Sequence, residues 1–185
     1  MKKLVIILCI AFNFITYGKD ISEIKSLIAE VNEVVNLNGE SKSSDYKLTY
    51  IFPDFIRKDV IAPELNRGEV YIYNKDQKIV YLPLFDQRVE EKLTENDSEV
   101  LEVINFIFEK EKSDREFREK YYAKKIKEIP LKNGTRVEID KLKEFKNYLL
   151  PTVYRVYDKD INMVNLKVKS YVINPEVDIK ELTDI

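Results

Sequence analysis

The chain has 185 residues, with 31 Lys or Arg against 33 Asp or Glu, a formal net charge of −2, one cysteine and no histidine. This length suits one domain, and 44% hydrophobic residues suffice for a sizeable core. The slightly acidic balance argues against nucleic acid as a partner, and the missing histidine removes the commonest general base and a principal transition-metal ligand.

Lys2 and Lys3 precede an apolar run over residues 4–15, and Thr16-Tyr17-Gly18 leads into the polar Lys19 and Asp20. This is the pattern of a secretory signal peptide over residues 1–18, cleaved after Gly18. The run is shorter than the roughly 20 residues a membrane-spanning helix needs. Cys9 follows Leu8 rather than a small residue, so it reads as one more apolar residue of the signal and not as a lipidation site. The mature domain, residues 19–185, then has no thiol, and losing Lys2 and Lys3 leaves it 29 basic residues against 33 acidic.

Asp20-Ile21-Ser22-Glu23 has capping-box spacing, and Ile21, Ile24, Leu27, Ile28, Val31, Val34 and Val35 recur at helical intervals up to Asn38-Gly39. An opening amphipathic helix is predicted there, followed by a polar loop over residues 40–45. Residues 46–52 alternate as a half-buried strand, Pro53-Asp54 interrupts it, and residues 55–60 resume extended until Ala62-Pro63. Residues 68–73 and 78–82 read as a hairpin around residues 74–77, and residues 87–93 as a further strand.

Asn96-Asp97-Ser98 supplies candidate caps for a second helix carrying Val100, Leu101, Val103, Ile104, Phe106, Ile107 and Phe108 above a narrow polar stripe. Such a helix requires apolar cover on most of its circumference. A charged helical stretch follows to Lys120. Residues 126–131 and 135–139 flank Asn133-Gly134, a hairpin signal, and residues 151–157 and 163–172 form a last hairpin around the polar turn 158–162. Residues 177–182 are predicted to add an edge strand. The order is helix, meandering strands, one or two helices, more meandering strands, without the regular strand–helix alternation of a doubly wound sheet.

Little here carries catalysis. Paired carboxylates would serve a glycosidase, but the acids lie on the polar side of periodic segments. Asp158-Lys159-Asp160-Ile161-Asn162 opens like a calcium loop, yet Met163 and Lys169 stand where the glycine and closing acid belong. Asn133-Gly134-Thr135 fits a glycosylation sequon and equally an Asn-Gly turn. No metal, cofactor or catalytic residue is predicted. The mature domain is instead rich in tyrosine, a residue favoured in strands that also lines apolar pockets with a wet mouth.

Residues 48–87 carry a resemblance: a strand ending in Phe52-Pro53-Asp54-Phe55-Ile56-Arg57-Lys58-Asp59, then Ala62-Pro63, then Gly68-Glu69-Val70-Tyr71-Ile72-Tyr73-Asn74 and Lys78-Ile79-Val80-Tyr81. This resembles the periplasmic lipoprotein carriers of the LolA type and the wider lipoprotein-sorting group. The resemblance implies an α+β, mainly β fold: a strongly curved, unclosed antiparallel β-barrel, or half-barrel, with covering α-helices on its concave face. It implies an apolar cavity for the acyl chains of lipoproteins, lined by Tyr46, Leu48, Tyr50, Phe55, Arg57, Tyr71, Tyr73, Tyr81, Val103, Ile107 and Phe108. The implied partners are acylated lipoproteins, an inner-membrane donor complex and an outer-membrane receptor, with a monomer working in the periplasm. Enterobacterial carriers have an arginine directly before the first proline, implicated in lid opening, whereas this chain has Phe52 there and Arg57 five residues on.

Three other readings remain open at this stage. A sensor or regulatory subunit could use the same half-barrel, an enzyme would need chemistry without His or Cys, and a structural envelope protein would lack a cavity.

Overall fold

A computed structural model describes residues 18–93, 99–131 and 134–185, with side chains in the first α-helix described from residue 104 onward. The predicted signal peptide, the Asn96-Asp97-Ser98 cap, Asn133 of the Asn-Gly turn and the side chain of Val103 lie outside the described residues.

Ten strands form one antiparallel sheet in the order β6-β5-β4-β3-β2-β1-β10-β9-β8-β7. They are β1 (Ser26–Leu37), β2 (Glu40–Ile51), β3 (Phe55–Ala62), β4 (Val70–Asn74), β5 (Gln77–Leu82), β6 (Gln87–Lys92), β7 (Glu128–Pro130), β8 (Thr135–Phe145), β9 (Tyr148–Asp158) and β10 (Ile161–Ile173). β6 and β7 are not paired with each other, so the barrel stays open. Register shifts place bulges at Ile61 in β3, Asp140 in β8, Thr152 in β9 and Met163 and Lys169 in β10. Each bulge sharpens the local bend, which curls the sheet around a concave face.

Helices α1 (Glu99–Ser113) and α2 (Arg115–Tyr122) lie in the connection between the two edge strands. A chain running from one edge of an open half-barrel to the other has to cross its open side. The amphipathic α1 meets the sheet there, with Ile107 3% exposed within the main core beside Tyr50, Ile56, Val137 and Leu150. Asp114 caps α2 by accepting from the Phe117 N–H at 3.0 Å.

Three predicted elements are corrected. The opening helix is a three-residue 3₁₀ turn, Ile21–Glu23, followed by the twelve-residue strand β1. β1 pairs with both β2 and β10 at the centre of the sheet, and its β-branched residues Ile28, Val31, Val34 and Val35 suit that position. Asn38 and Gly39 both have positive φ, 53° and 82°, so they form a two-residue hairpin turn and not a helix stop. The predicted polar loop after them is the first half of β2, matched residue by residue against β1. The predicted C-terminal edge strand is the helix α3 (Ile179–Thr183), capped where Asp178 accepts from the Lys180 N–H. The remaining strands and α1 and α2 stand where the sequence predicts them, with β8 and β9 extended to a two-residue turn at Lys146-Asn147.

Candidate functional site

Under α1 the concave face encloses an apolar cavity of about 170 Å³. Alternate residues of β1 (Leu27, Ala29, Val31), β2 (Tyr46, Leu48), β9 (Tyr154, Val156) and β10 (Val164, Leu166, Val168) form its floor, and Ile104, Ile107 and Phe108 of α1 form its roof. The period-two geometry of a strand delivers this floor: every second side chain points to one face, and neighbouring strands in register place those rows side by side. Ile21 and Tyr121, both fully buried, close one end. At the other end the lining includes the partly exposed Glu33, Val156 and Val164, so the cavity opens where β1 ends and β10 begins.

The mouth carries a small polar cluster. The Tyr46 hydroxyl donates to Glu33 Oε2 at 3.3 Å, Lys58 Nζ approaches Glu33 Oε1 at 3.2 Å, and the same ammonium sits 4.1 Å from the Tyr46 ring centroid. Burial, with the Glu33 charge beside it, pushes the Tyr46 phenol well above its usual range. Deeper in, the Tyr171 hydroxyl donates to Pro151 O at 2.5 Å and lies 3.4 Å from the Tyr154 hydroxyl. Burial raises the Tyr154 phenol to about 12 and the Tyr171 phenol well above its usual range, so both stay neutral at any physiological pH.

The roof is fastened at two places. Near its middle, Asn105 hydrogen-bonds the Tyr50 hydroxyl, which also lies 2.9 Å from Pro53 O. One phenolic proton cannot serve two acceptors, so an Asn105 amide turned to present its N–H satisfies both contacts. Beside them the Phe52 ring lies 4.2 Å from Tyr50 and 4.1 Å from Phe108. Toward the far end of α1, Glu111 is 1% exposed and accepts from Arg118 Nε at 2.9 Å, the Tyr122 hydroxyl at 3.3 Å and the Ser22 N–H at 3.4 Å. Arg118 continues to Asp20 at 3.1 Å, tying α1, α2 and the 3₁₀ turn into one node.

Of the residues expected at the site, Tyr46, Leu48, Ile107 and Phe108 line the cavity. Tyr50 lies on the same face as part of the fastening. Tyr71 and Tyr73 also face the concave side but stand beyond the lining, where Tyr71 donates to Glu69 and lies 6.0 Å from the Lys58 ammonium. Phe55, Arg57 and Tyr81 are placed on the opposite, convex face. There Phe55 belongs to a separate apolar cluster with Val70, Ile72 and Ile79, against which Tyr81 and Leu182 pack. Arg57 bridges Asp59 at 2.8 Å and donates to Leu182 O at 2.6 Å, pinning α3 to the sheet. The sequence expectation omits Ala29, Val31, Val164, Leu166 and Val168, because the apolar run of β1 fits helical spacing and the alternation of β10 does not by itself say which side holds the site.

No protein-family model and no curated protein sequence matches the chain. Solved structures do. A LolA superfamily protein from Nitrosomonas europaea aligns over 88% of this chain and 94% of its own, with a TM-score of 0.60 at 11% identity. A DUF1329 family protein from Desulfovibrio piger aligns over 87% and 90%, with a TM-score of 0.60 at 10% identity. A protein assigned as an outer membrane lipoprotein-sorting domain from Vibrio parahaemolyticus aligns over 85% and 89%, with a TM-score of 0.55 at 9% identity. At such identities the shared property is the backbone architecture: this chain has the same fold as these three proteins, the LolA superfamily protein from Nitrosomonas europaea among them.

Proposed function

We propose that this protein is a periplasmic carrier that binds the acyl chains of lipoproteins in the cavity beneath α1 and transfers them toward the outer membrane. The observation that carries the reading is the cavity itself. A packed interior leaves few voids larger than a water molecule, whereas here about 170 Å³ stays open under an otherwise well-filled core. Its lining offers alkyl chains a surface without charge until Glu33 at the mouth. Burying an acyl chain there contributes roughly 0.8 kcal/mol per methylene without covalent chemistry, so the cargo can later be released.

The volume also implies movement. Pockets for ligands of drug size span roughly 300–1,000 Å³, so this cavity admits only part of an acyl chain while α1 is seated. The fastening at Asn105, Tyr50, Phe52 and Phe108 is light beside the Glu111 node, and α1 would swing from the latter. In this reading Phe52 takes the place of the arginine of enterobacterial carriers, holding the roof by ring contact and not by charge. The signal peptide over residues 1–18 would deliver the domain of residues 19–185 to the periplasm, and an inner-membrane donor complex and an outer-membrane receptor would be its partners.

The reading is tested by purifying the protein from the envelope of its native host and identifying bound lipids and lipoproteins by mass spectrometry. Displacement of an environment-sensitive fluorescent acyl probe from the purified protein provides a second measurement. Co-purifying lipoproteins are expected. A protein that carries no acylated species and leaves the probe unbound would overturn the carrier reading.

A further inference from the structure

We infer that the second half of β8, at the edge of the sheet beyond the end of β7, is a docking site for an acidic extended segment of another polypeptide, which adds to the sheet as a further strand. β7 pairs with β8 only from Arg136 to Glu138, and the Ile139 N–H donates to Lys127 O at 2.8 Å. β8 itself runs on to Phe145. Over residues 141–145 it pairs with β9 on one side, and among the described residues no strand lies on the other. In an antiparallel sheet alternate residues aim their N–H and C=O groups at each neighbouring strand. About half of the backbone groups over this stretch therefore face outward with no strand to meet them.

That stretch forms one wall of an open groove of about 540 Å³, whose other wall is residues 124–128, the segment leading from α2 into β7. Lys124 has a positive φ of 57°, and the Lys125 N–H donates back to Lys120 O at 2.8 Å, so α2 ends in a left-handed cap that sends the chain along this course. The half-buried Ile126 and Leu142, one from each wall, supply apolar contact inside the groove. None of its lining residues lines the cavity under α1.

The charge of the groove selects its occupant. The lining carries five basic residues and three acidic ones. All three acids are already bound, Glu128 and Glu138 to Arg136 at 3.2 and 3.0 Å, and Asp140 to Arg155 at 3.0 Å. The next acid along β8, the exposed Glu144, stands outside the lining. Lys124 and Lys127 on one wall and Lys141 and Lys143 on the other are exposed and form no ion pair among the described residues. Lys141 and Lys143 flank Leu142 and so project to the same side of β8. Lysines along a free edge ordinarily deter pairing with another copy of the chain, and here each copy would bring its own four. A strand carrying Asp or Glu meets the opposite response, since its side chains neutralise both walls while its backbone bonds β8. Lipid headgroups and other anions answer the lysines but offer no row of N–H and C=O groups at strand spacing.

The groove is separate from the cavity, so this inference does not rest on the carrier reading. The test is fluorescence anisotropy of a short labelled peptide alternating valine with glutamate, titrated with the mature chain. Two control peptides carry lysine in place of glutamate, or a methyl group on every backbone nitrogen. The glutamate peptide is expected to bind, and both controls to lose at least about tenfold in affinity. The double variants Lys141→Glu with Lys143→Glu, and Lys124→Glu with Lys127→Glu, are each expected to lose as much while unfolding at the wild-type temperature and binding the acyl probe as before. A glutamate peptide that does not bind overturns the inference. So does a methylated peptide that binds equally well, which would show charge attraction without strand addition. Undiminished peptide binding by both double variants would place the peptide elsewhere and overturn it as well. Binding of phosphatidylglycerol vesicles through these lysines, or a wild-type dimer through β8, in place of peptide binding would assign the edge to anionic lipid or to self-association and overturn it too. Failure of the carrier reading shows separately, as a wild type that leaves the acyl probe unbound.

Discussion

Ala29 is the position at which the cavity and the core should respond in opposite directions. It is buried, on the concave face of β1 between Leu48 and Tyr171, and it is the smallest residue lining the cavity. Ala29→Leu adds three carbons to an apolar space of about 170 Å³ that nothing else fills. At roughly 0.8 kcal/mol per carbon the gain is about 2.4 kcal/mol, from which immobilising the new side chain removes about 0.5–1 kcal/mol. The net of about 1.5 kcal/mol corresponds to a melting temperature higher by about 3–6 °C in a domain of this size. The same three carbons deny space to a bound chain, so affinity for an acyl ligand should fall by about 2.4 kcal/mol, roughly fifty-fold. Thermal unfolding and acyl-probe displacement on the same preparations measure both. A variant that melts lower would show that the space is not available to a side chain, and one that is stabilised yet binds the probe unchanged would remove the cavity from the acyl site.

Further outcomes follow from the roof and the phenols. Asn105→Ala removes the bond to Tyr50 and should lower stability by about 1 kcal/mol while accelerating probe entry, measured by denaturant titration and stopped-flow fluorescence. Glu111→Gln leaves Arg118 and Ser22 with a neutral partner in the node that joins α1, α2 and the 3₁₀ turn, and should cost about 1–3 kcal/mol with a smaller effect on probe entry than Asn105→Ala. The tyrosines set an alkaline limit: burial raises the folded Tyr154 phenol to about 12, with Tyr121 and Tyr171 also raised. In the unfolded chain these phenols ionise near pH 10, so unfolding releases protons above that pH. Their contribution is therefore whole below pH 10 and lost as pH rises through the folded values. Melting temperature against pH, followed beside phenolate absorbance, should stay level to pH 10 and fall steeply by pH 12. Parallel phenolate titration of native and denatured protein would contradict the burial on which this rests.

Much of the sheet was legible because half-buried strands write their geometry as alternation. Tyr46, Leu48 and Tyr50 show one face of β2 directly, and the wide apolar circumference of α1 announces a helix covered by other elements. β1 was not legible by the same rule. A strand at the centre of a sheet with apolar residues on both faces leaves a run that fits helical spacing as well as period two, and Ile21, Ile24, Leu27, Ile28 and Val31 fit both. The arbiters were present in the β-branched content and in Asn38-Gly39, a hairpin signal that also reads as a helix stop. Placing the site residues required one further quantity, the register across each turn. Asn74 pairs with Gln77, which sets Tyr71 opposite Val80 and therefore turns Tyr81 to the other face. A four-residue turn over residues 74–77 pairs Tyr73 with Lys78 and so gives this same parity. Within β3 the alternation alone puts Phe55 and Arg57 on one side and Ile56 and Lys58 on the other. Only the edge-to-edge crossing of α1 and α2 shows which side holds the cavity.

That crossing also explains why a cavity survives here at all. In a closed barrel, inward side chains from all strands meet and fill the interior, and the fold gains nothing by leaving space. This sheet stops short of closure, so the inner face is completed by a helix whose seat is decided by a few contacts: Ile107 in the core, Phe108 against Phe52, Asn105 on Tyr50 and Glu111 in its polar node. Ala29 and Val168 belong to a second buried cluster, which meets the cluster of Ile107 at the partly buried Leu48, Tyr154 and Tyr171. Floor and roof thus each have a packed set of their own, and the gap between them need not vanish. A single substitution at the latch can shift the roof while the ten-stranded sheet keeps its register, whereas any change to the floor acts on β1 or β10 at the sheet's centre. Variants that alter the rate of ligand entry should therefore cluster on α1 and at Tyr50 and Phe52, and variants that alter affinity at equilibrium on β1, β2 and β10. A screen in which the two classes of effect fall on the same residues would mean that roof and floor move as one body.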